Sequence, residues 1–191
     1  MLCLPKTFLT SLLTIMFFHF IPAINTSFAE EKKKAVEKIS VADSFIETDN
    51  YVHNWVPLPT IEGHDLNGKA VKQSPERGLL DVIIFIASWC IQCQQLIGYI
   101  QDLDKKYTDR HTRFTYIFSH DLKSDAQGFA KAFKIDSAIV ASHDILKAYH
   151  NPELPSIYIG DRHGWLLARY LKATPKELKK IDEVISYLTA Y

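Results

Sequence analysis

Three features of this 191-residue chain predict an α/β fold, a central mixed β-sheet flanked by helices. Short apolar, β-branched runs alternate with segments of helical period, a pattern that builds strand–helix units around a sheet. The alternation ends in a turn-linked pair of strands and one last helix, so crossover and hairpin connections coexist and the sheet mixes parallel and antiparallel neighbours. In addition, the apolar run Val82-Ile83-Ile84-Phe85-Ile86-Ala87 leads directly into Trp89-Cys90-Ile91-Gln92-Cys93 and then into a helical pattern.

The elements follow in order. Lys6 precedes an uncharged stretch from Thr7 to Ala29 whose most apolar part, Phe8 to Ile21, is short for a membrane span. Ser27-Phe28-Ala29 places small residues where a signal peptidase reads, so residues 1–29 are expected to be a secretory signal peptide cut after Ala29, carrying Cys3 away with it. The competing expectation is an uncleaved membrane anchor over residues 7–29. Residues 30–54 open with Glu-Glu-Lys-Lys-Lys-Ala-Val-Glu-Lys and read as a charged spacer and N-terminal extension; the span 39–54 gives no clear pattern. The folded domain is expected over residues 55–191.

Trp55-Val56-Pro57-Leu58-Pro59 is an extended lead-in, because Pro59 biases Leu58 away from helix. Asp65-Leu66-Asn67-Gly68-Lys69 has hairpin turn chemistry. Asp81 to Ala87 is a buried central strand. Ile91 to Tyr107 is a helix with Leu96, Ile97, Ile100 and Leu103 on one side. Phe114 to Phe118 is a second buried strand, and Ser124 to Phe133 a helix that packs Phe129 and Phe133. A short strand at Ile139 to Ala141 and a helix from Asp144 to Tyr149 follow. Ser156 to Gly160 is a third strand, and Asp161-Arg162-His163-Gly164 turns the chain into Trp165 to Tyr170. Thr174-Pro175-Lys176-Glu177 combines an N-cap, a first-turn proline and a capping-box glutamate. Ile181, Val184, Ile185 and Leu188 then form one helical face.

Twenty-two basic residues balance 22 acidic ones, so nothing calls for nucleic acid or an acidic substrate. Chemistry concentrates in the cysteines. A strand that delivers C-x-x-C to a helix start lets two sulfurs meet in a small ring, and the partial positive charge of the helix N-terminus favours the first thiolate. In an exported chain disulfides persist. The loop closed by Cys90 and Cys93 is tiny, so the pair removes little chain entropy and serves poorly as a staple. Redox work is the better reading.

At these residues the chain resembles the thioredoxin superfamily, and within it the exported TlpA/ResA-like thiol–disulfide oxidoreductases. The resemblance is carried by Phe85 to Cys93, by Glu153-Leu154-Pro155-Ser156 through Gly164 (similar to a cis-proline loop, strand and D-x-x-G hairpin), and by the lead-in from Pro59 to Val71. It implies a thioredoxin-like fold with Cys90 as nucleophile and Cys93 as resolving thiol. It further implies a cis-proline at Pro155 facing the disulfide, Leu154 offering backbone groups to an extended substrate, and Trp89 shaping an apolar rim. No organic cofactor is implied. The implied partners are thiols and disulfides of exported proteins, cytochrome c maturation components among them, with a membrane electron donor for recycling and a periplasmic location.

The chain departs from the family pattern at four places. Gln92 stands where proline is frequent before the second cysteine, Leu96 where a glutamate is frequent, Gly98 where a kinking proline is common, and Ile84 where thioredoxin keeps a buried aspartate. The usual acid/base assistant of Cys93 is absent from both expected places, and Glu153 is the alternative candidate. The uncharged Ile91-Gln92 pair leans the reading towards a reductant. A second class of function is copper or zinc binding by the thiols with His143, His150 or His163, although no second ligand pair completes a closed site. Ser88 faintly echoes a hydroxyl-assisted peroxidatic cysteine. A docking module would use Trp55, Tyr149, Tyr158 and Trp165, which are better explained as packing.

Overall fold

The computed structural model describes residues 51–52 and 55–190. The expected signal peptide or anchor and most of the charged spacer lie outside the described residues. The elements are β1 (Ile61–Asp65), β2 (Ala70–Gln73), β3 (Leu80–Ile86), α1 (Ile91–Tyr107), β4 (Thr112–Phe118), α2 (Lys123–Phe133), β5 (Ala138–Val140), α3 (His143–Ala148), β6 (Ser156–Gly160), β7 (Leu166–Tyr170) and α4 (Pro175–Thr189). The strands form one sheet in the order β2-β1-β5-β4-β3-β6-β7. β3 pairs parallel with β4, which pairs parallel with β5, while β6, β7, β1 and β2 join antiparallel. The mixed α/β sheet expected from the sequence is therefore present, and the strand and helix positions agree within one or two residues.

Every residue of β3 is buried, as its unbroken apolar run requires. Ile83 and Phe85 enter a core with Leu58, Ile61, Ile117, Tyr149 and Tyr158. Tyr149 and Tyr158 are thus core residues, and their hydroxyls donate to the carbonyls of Pro59 and Tyr149 at 2.9 and 3.0 Å. By strand alternation Ile84 and Ile86 face the other way, as does Phe118, whose ring meets Phe129 of α2 edge-on at 5.6 Å. On that side Gln101 of α1 donates to the Phe133 carbonyl at 2.7 Å. Tyr107 of α1 donates to Asp182 of α4 at 2.5 Å.

Both D-x-x-G segments fold into the same turn. Asp65 accepts from the N–H groups of Asn67 and Lys69, and Asp161 from those of His163 and Trp165, all within 2.8–2.9 Å. Gly68 and Gly164 close these turns at φ of 87° and 85°, a backbone region that side chains avoid. The lead-in does more than approach the sheet. Leu58 and Leu166 exchange backbone hydrogen bonds with Gly164 and Val56, and Tyr51 bridges Ala168. The free edge of β7 is thereby paired, and part of the pairing comes from a span whose sequence shows no pattern. Of the four aromatics expected to pack, Trp55 does not: it is 80% exposed, with its ring edge-on to Trp165 at 6.0 Å. Among the described residues no helix is long and apolar enough to cross a membrane.

α4 begins as its sequence dictates, with the Thr174/Glu177 capping box in place. The Thr174 hydroxyl donates to the Glu177 carboxylate, as does the Thr174 N–H at 2.9 Å. These bonds, the hydroxyl's foremost, hold the Glu177 carboxyl below its ordinary value against the opposing effect of burial. A group depressed in the folded state stabilises above its unfolded pKa and loses that contribution as pH falls through the folded value. Glu177→Ala is therefore expected to cost about 1 kcal/mol at neutral pH, the scale of a helix cap. The gap should narrow towards pH 3. Urea unfolding of both proteins at the two pH values checks this; a gap that does not change with pH would show that the carboxylate charge contributes nothing.

Candidate active site

The carboxyl ends of β3 and β4 and the amino end of β6 lie at one end of the sheet. β3 runs out at Ile86, and Ala87 to Trp89 turn the chain into α1. Cys90 is the N-cap of that helix and forms a disulfide with Cys93, their Cα atoms 5.2 Å apart. The Cys90 Sγ accepts the Cys93 N–H at 3.1 Å. The first turn of α1 contains no acidic residue, so no charge within the helix opposes the positive end of its dipole at this sulfur. Cys93 is fully buried and Cys90 is 7% exposed, between the outward side chains of Trp89 (60%) and Ile91 (71%). One sulfur thus borders an open apolar rim while the other lies beneath it.

The turn before Cys90 is held by a residue the sequence reading does not single out. The Asp121 carboxylate accepts the Ser88 N–H at 2.8 Å and the Ser88 hydroxyl at 2.6 Å. Gln94 donates to the Ser88 carbonyl at 2.8 Å. Every polar group of Ser88 is therefore engaged, and its hydroxyl is committed to a carboxylate, which answers the peroxidatic echo. Asp121 reaches Ser88 because β4 is the parallel neighbour of β3. The available signal was its place just past a strand's carboxyl end, where α/β sheets assemble their sites.

The Leu154–Pro155 peptide bond is cis. β6 pairs with β3 in the register Phe85↔Ser156, which sets Pro155 beside the cysteine turn. The Pro155 carbonyl accepts the Ala173 N–H at 2.8 Å. The N–H and C=O of Leu154 take no hydrogen bond from the described residues, and its side chain packs on the core. The structure therefore brings Cys90, Cys93, Trp89, Leu154 and Pro155 to one end of the sheet.

Glu153 does not serve Cys93: it is exposed and ion-paired with Lys172. The buried carboxylate of Asp81 is no substitute. It lies at the opposite end of β3, about 20 Å along the strand from Ala87, and is bound by Arg113 at 2.7 Å. Burial raises its pKa against the opposing pull of Arg113. With Ile84 and Leu96 at the family's two carboxylate positions, both buried and apolar, Cys93 has no acid or base at either. His143, His150 and His163 are exposed, and among the described residues no group of three or more His, Cys, Asp or Glu could hold a metal ion.

No family model matches the chain. A curated relative, the thiol-disulfide oxidoreductase ResA of Bacillus thuringiensis subsp. konkukian (strain 97-27), is 23% identical over 127 residues, 65% of this chain and 72% of its own length. Among solved structures, a thiol:disulfide interchange protein of the thioredoxin family from Chlorobium tepidum TLS superposes with a TM-score of 0.62 at 17% identity, covering 72% of this chain and 99% of that one. A secreted Mycobacterium tuberculosis disulfide oxidoreductase homologous to E. coli DsbE gives 0.58 at 15%, covering 67% and 96%. The fold is a thioredoxin fold, and in sequence the chain is similar to a ResA thiol-disulfide oxidoreductase.

The Ser88 clamp gives a direct test. Asp121→Ala removes both acceptors from a half-buried turn and is expected to destabilise by about 1–3 kcal/mol. Asp121→Asn should lose less, because its amide oxygen still accepts the Ser88 N–H and its NH2 can donate to the hydroxyl. Urea midpoints rank the three proteins; equal midpoints would show that the clamp contributes nothing.

Proposed function

We propose that the chain is an exported enzyme that reduces disulfides of other exported proteins, with Cys90 as nucleophile and Cys93 as resolving thiol. The observation that carries this is the placement of the two sulfurs. Cys90 caps a helix at an open apolar rim, where thiolate formation and access are both favoured, and Cys93 is sealed behind it.

The cycle balances within the protein and its client. The Cys90 thiolate attacks a client disulfide, forming a Cys90–client bond and releasing a client thiolate that takes up a proton. The Cys93 thiolate then attacks the Cys90 sulfur, forming Cys90–Cys93 and releasing the second client thiol. Two electrons pass from the dithiol to the client. An external dithiol, expected at the membrane, returns them. Trp89 supplies the apolar rim, and the unpaired backbone groups of Leu154 beside Pro155 offer an edge for an extended client segment.

The reductant direction is supported by the uncharged Ile91-Gln92 pair and the apolar surroundings of Cys93, which lack a cation to favour the reduced thiolate form. Export is supported by the uncharged stretch from Thr7 to Ala29, with its apolar part at Phe8 to Ile21, and by the secreted M. tuberculosis structural relative. We place the protein in the periplasm after cleavage at Ala29, with cytochrome c maturation components among its clients. Copper or zinc delivery finds no favouring observation in the described site.

Equilibration of Cys90–Cys93 against glutathione or dithiothreitol, with metal assayed on the same sample, tests the reading. A reversible two-electron transition at about −270 mV or lower is expected of a reductant, whereas about −120 mV would mark an oxidant. Stoichiometric thiol-bound metal without a transition would overturn the enzyme reading. Cys90→Ser should abolish exchange, and Cys93→Ser should accumulate mixed disulfides through Cys90; normal turnover by Cys93→Ser would reverse the assigned roles.

A further inference from the structure

Three segments meet around the disulfide: the first turn of α1, the Glu153–Pro155 loop, and the loop from Leu171 to Thr174 between β7 and α4. Ala173 lies in the last and is fully buried. Its N–H donates to the Pro155 carbonyl at 2.8 Å. Its own carbonyl accepts from the Gln92 side-chain amide at 3.1 Å. Gln92 sits between the two cysteines, so a continuous strut runs from the Cys-x-x-Cys turn through Ala173 to Pro155. Among the described residues this is the one side-chain hydrogen bond from that turn to either loop. The Lys172–Glu153 pair joins the same two loops, but both side chains are largely exposed, and such pairs hold weakly. A proline at position 92 would carry no donor and leave the buried Ala173 carbonyl without this partner.

We propose that Gln92 is a positioning residue: through Ala173 it holds the Pro155 loop at a fixed distance from Cys90, and so governs how a polypeptide client is received rather than how the sulfur reacts. The bond leaves both sulfurs untouched and adds no charge between them. Its loss frees one wall of the site while the helix start that favours the Cys90 thiolate stays in place. This inference rests on the oxidoreductase reading for its kinetic arm only.

The test uses the reduced full chain and its Gln92→Ala and Gln92→Leu variants, the second keeping bulk without the donor. Insulin serves as the polypeptide disulfide and iodoacetamide as the small thiol probe. Both variants are expected to lose roughly five- to ten-fold in kcat/KM towards insulin, carried by KM, the factor of about one hydrogen bond. The pH profile of Cys90 alkylation should be unchanged. Hydrogen exchange of the Ala173 amide should accelerate by a similar factor while the β3 amides keep their protection. Unchanged Ala173 protection would overturn the strut. An insulin defect matched by a shifted alkylation profile would overturn the positioning role, because Gln92 would then act on the sulfur. A wild type that leaves insulin disulfides intact overturns the oxidoreductase reading instead, and the exchange arm still decides the strut.

Discussion

The whole site hangs on the double pairing of β3. Its parallel partner β4 delivers Asp121 to Ser88, and its antiparallel partner β6 delivers Pro155 to the same end of the sheet. α1 leaves from that end with Cys90 as its cap. A one-residue slip in either ladder would swap the faces of Ile83 and Phe85 against Ile84, which the two cores forbid. The register that buries the apolar side chains is therefore the register that assembles the cysteine turn, and the placement of the sulfurs requires no separate device.

Charge is kept away from Cys93. The buried carboxylate of β3, Asp81, lies at the remote end against Arg113, and each oxygen of Asp121 accepts one Ser88 donor. Glu153 turns outward to Lys172. In the proposed cycle none of these three carboxylates is placed to receive the Cys93 proton, which leaves solvent or the departing client thiolate to take it.

Local chemistry was legible in the sequence and long-range chemistry was not. The two D-x-x-G turns, the 91–107 helix and the capping box at Thr174 are each decided within a few residues, by an aspartate that binds its own neighbours, by an apolar stripe, and by a glutamate three positions on. The Cys90–Cys93 pair was legible for the same reason. Asp121 binds 33 residues away, and Gln92 binds 81 away. Neither has a periodicity or spacing that marks it before the strand order is known. The pairing of Tyr51 with Ala168 was hidden likewise, because an edge-covering segment needs no apolar pattern of its own. Gln92 was visible only as a missing proline, and its contribution appears once Ala173 is placed beside it.

The first turn of α1 is rich in glutamine where a ring or a charge would be the commoner means of rigidity. Gln92 holds Ala173 and Gln94 holds Ser88, so both sides of the cysteine turn are fixed by neutral amides. A lysine in either place would draw the Cys90 thiolate towards lower pKa, and a glutamate would oppose it. An amide supplies the same donor geometry without entering that balance. The turn is stiffened while the potential of the dithiol is left to the helix start and the apolar seat of Cys93, and position and reactivity become separable properties of one short motif.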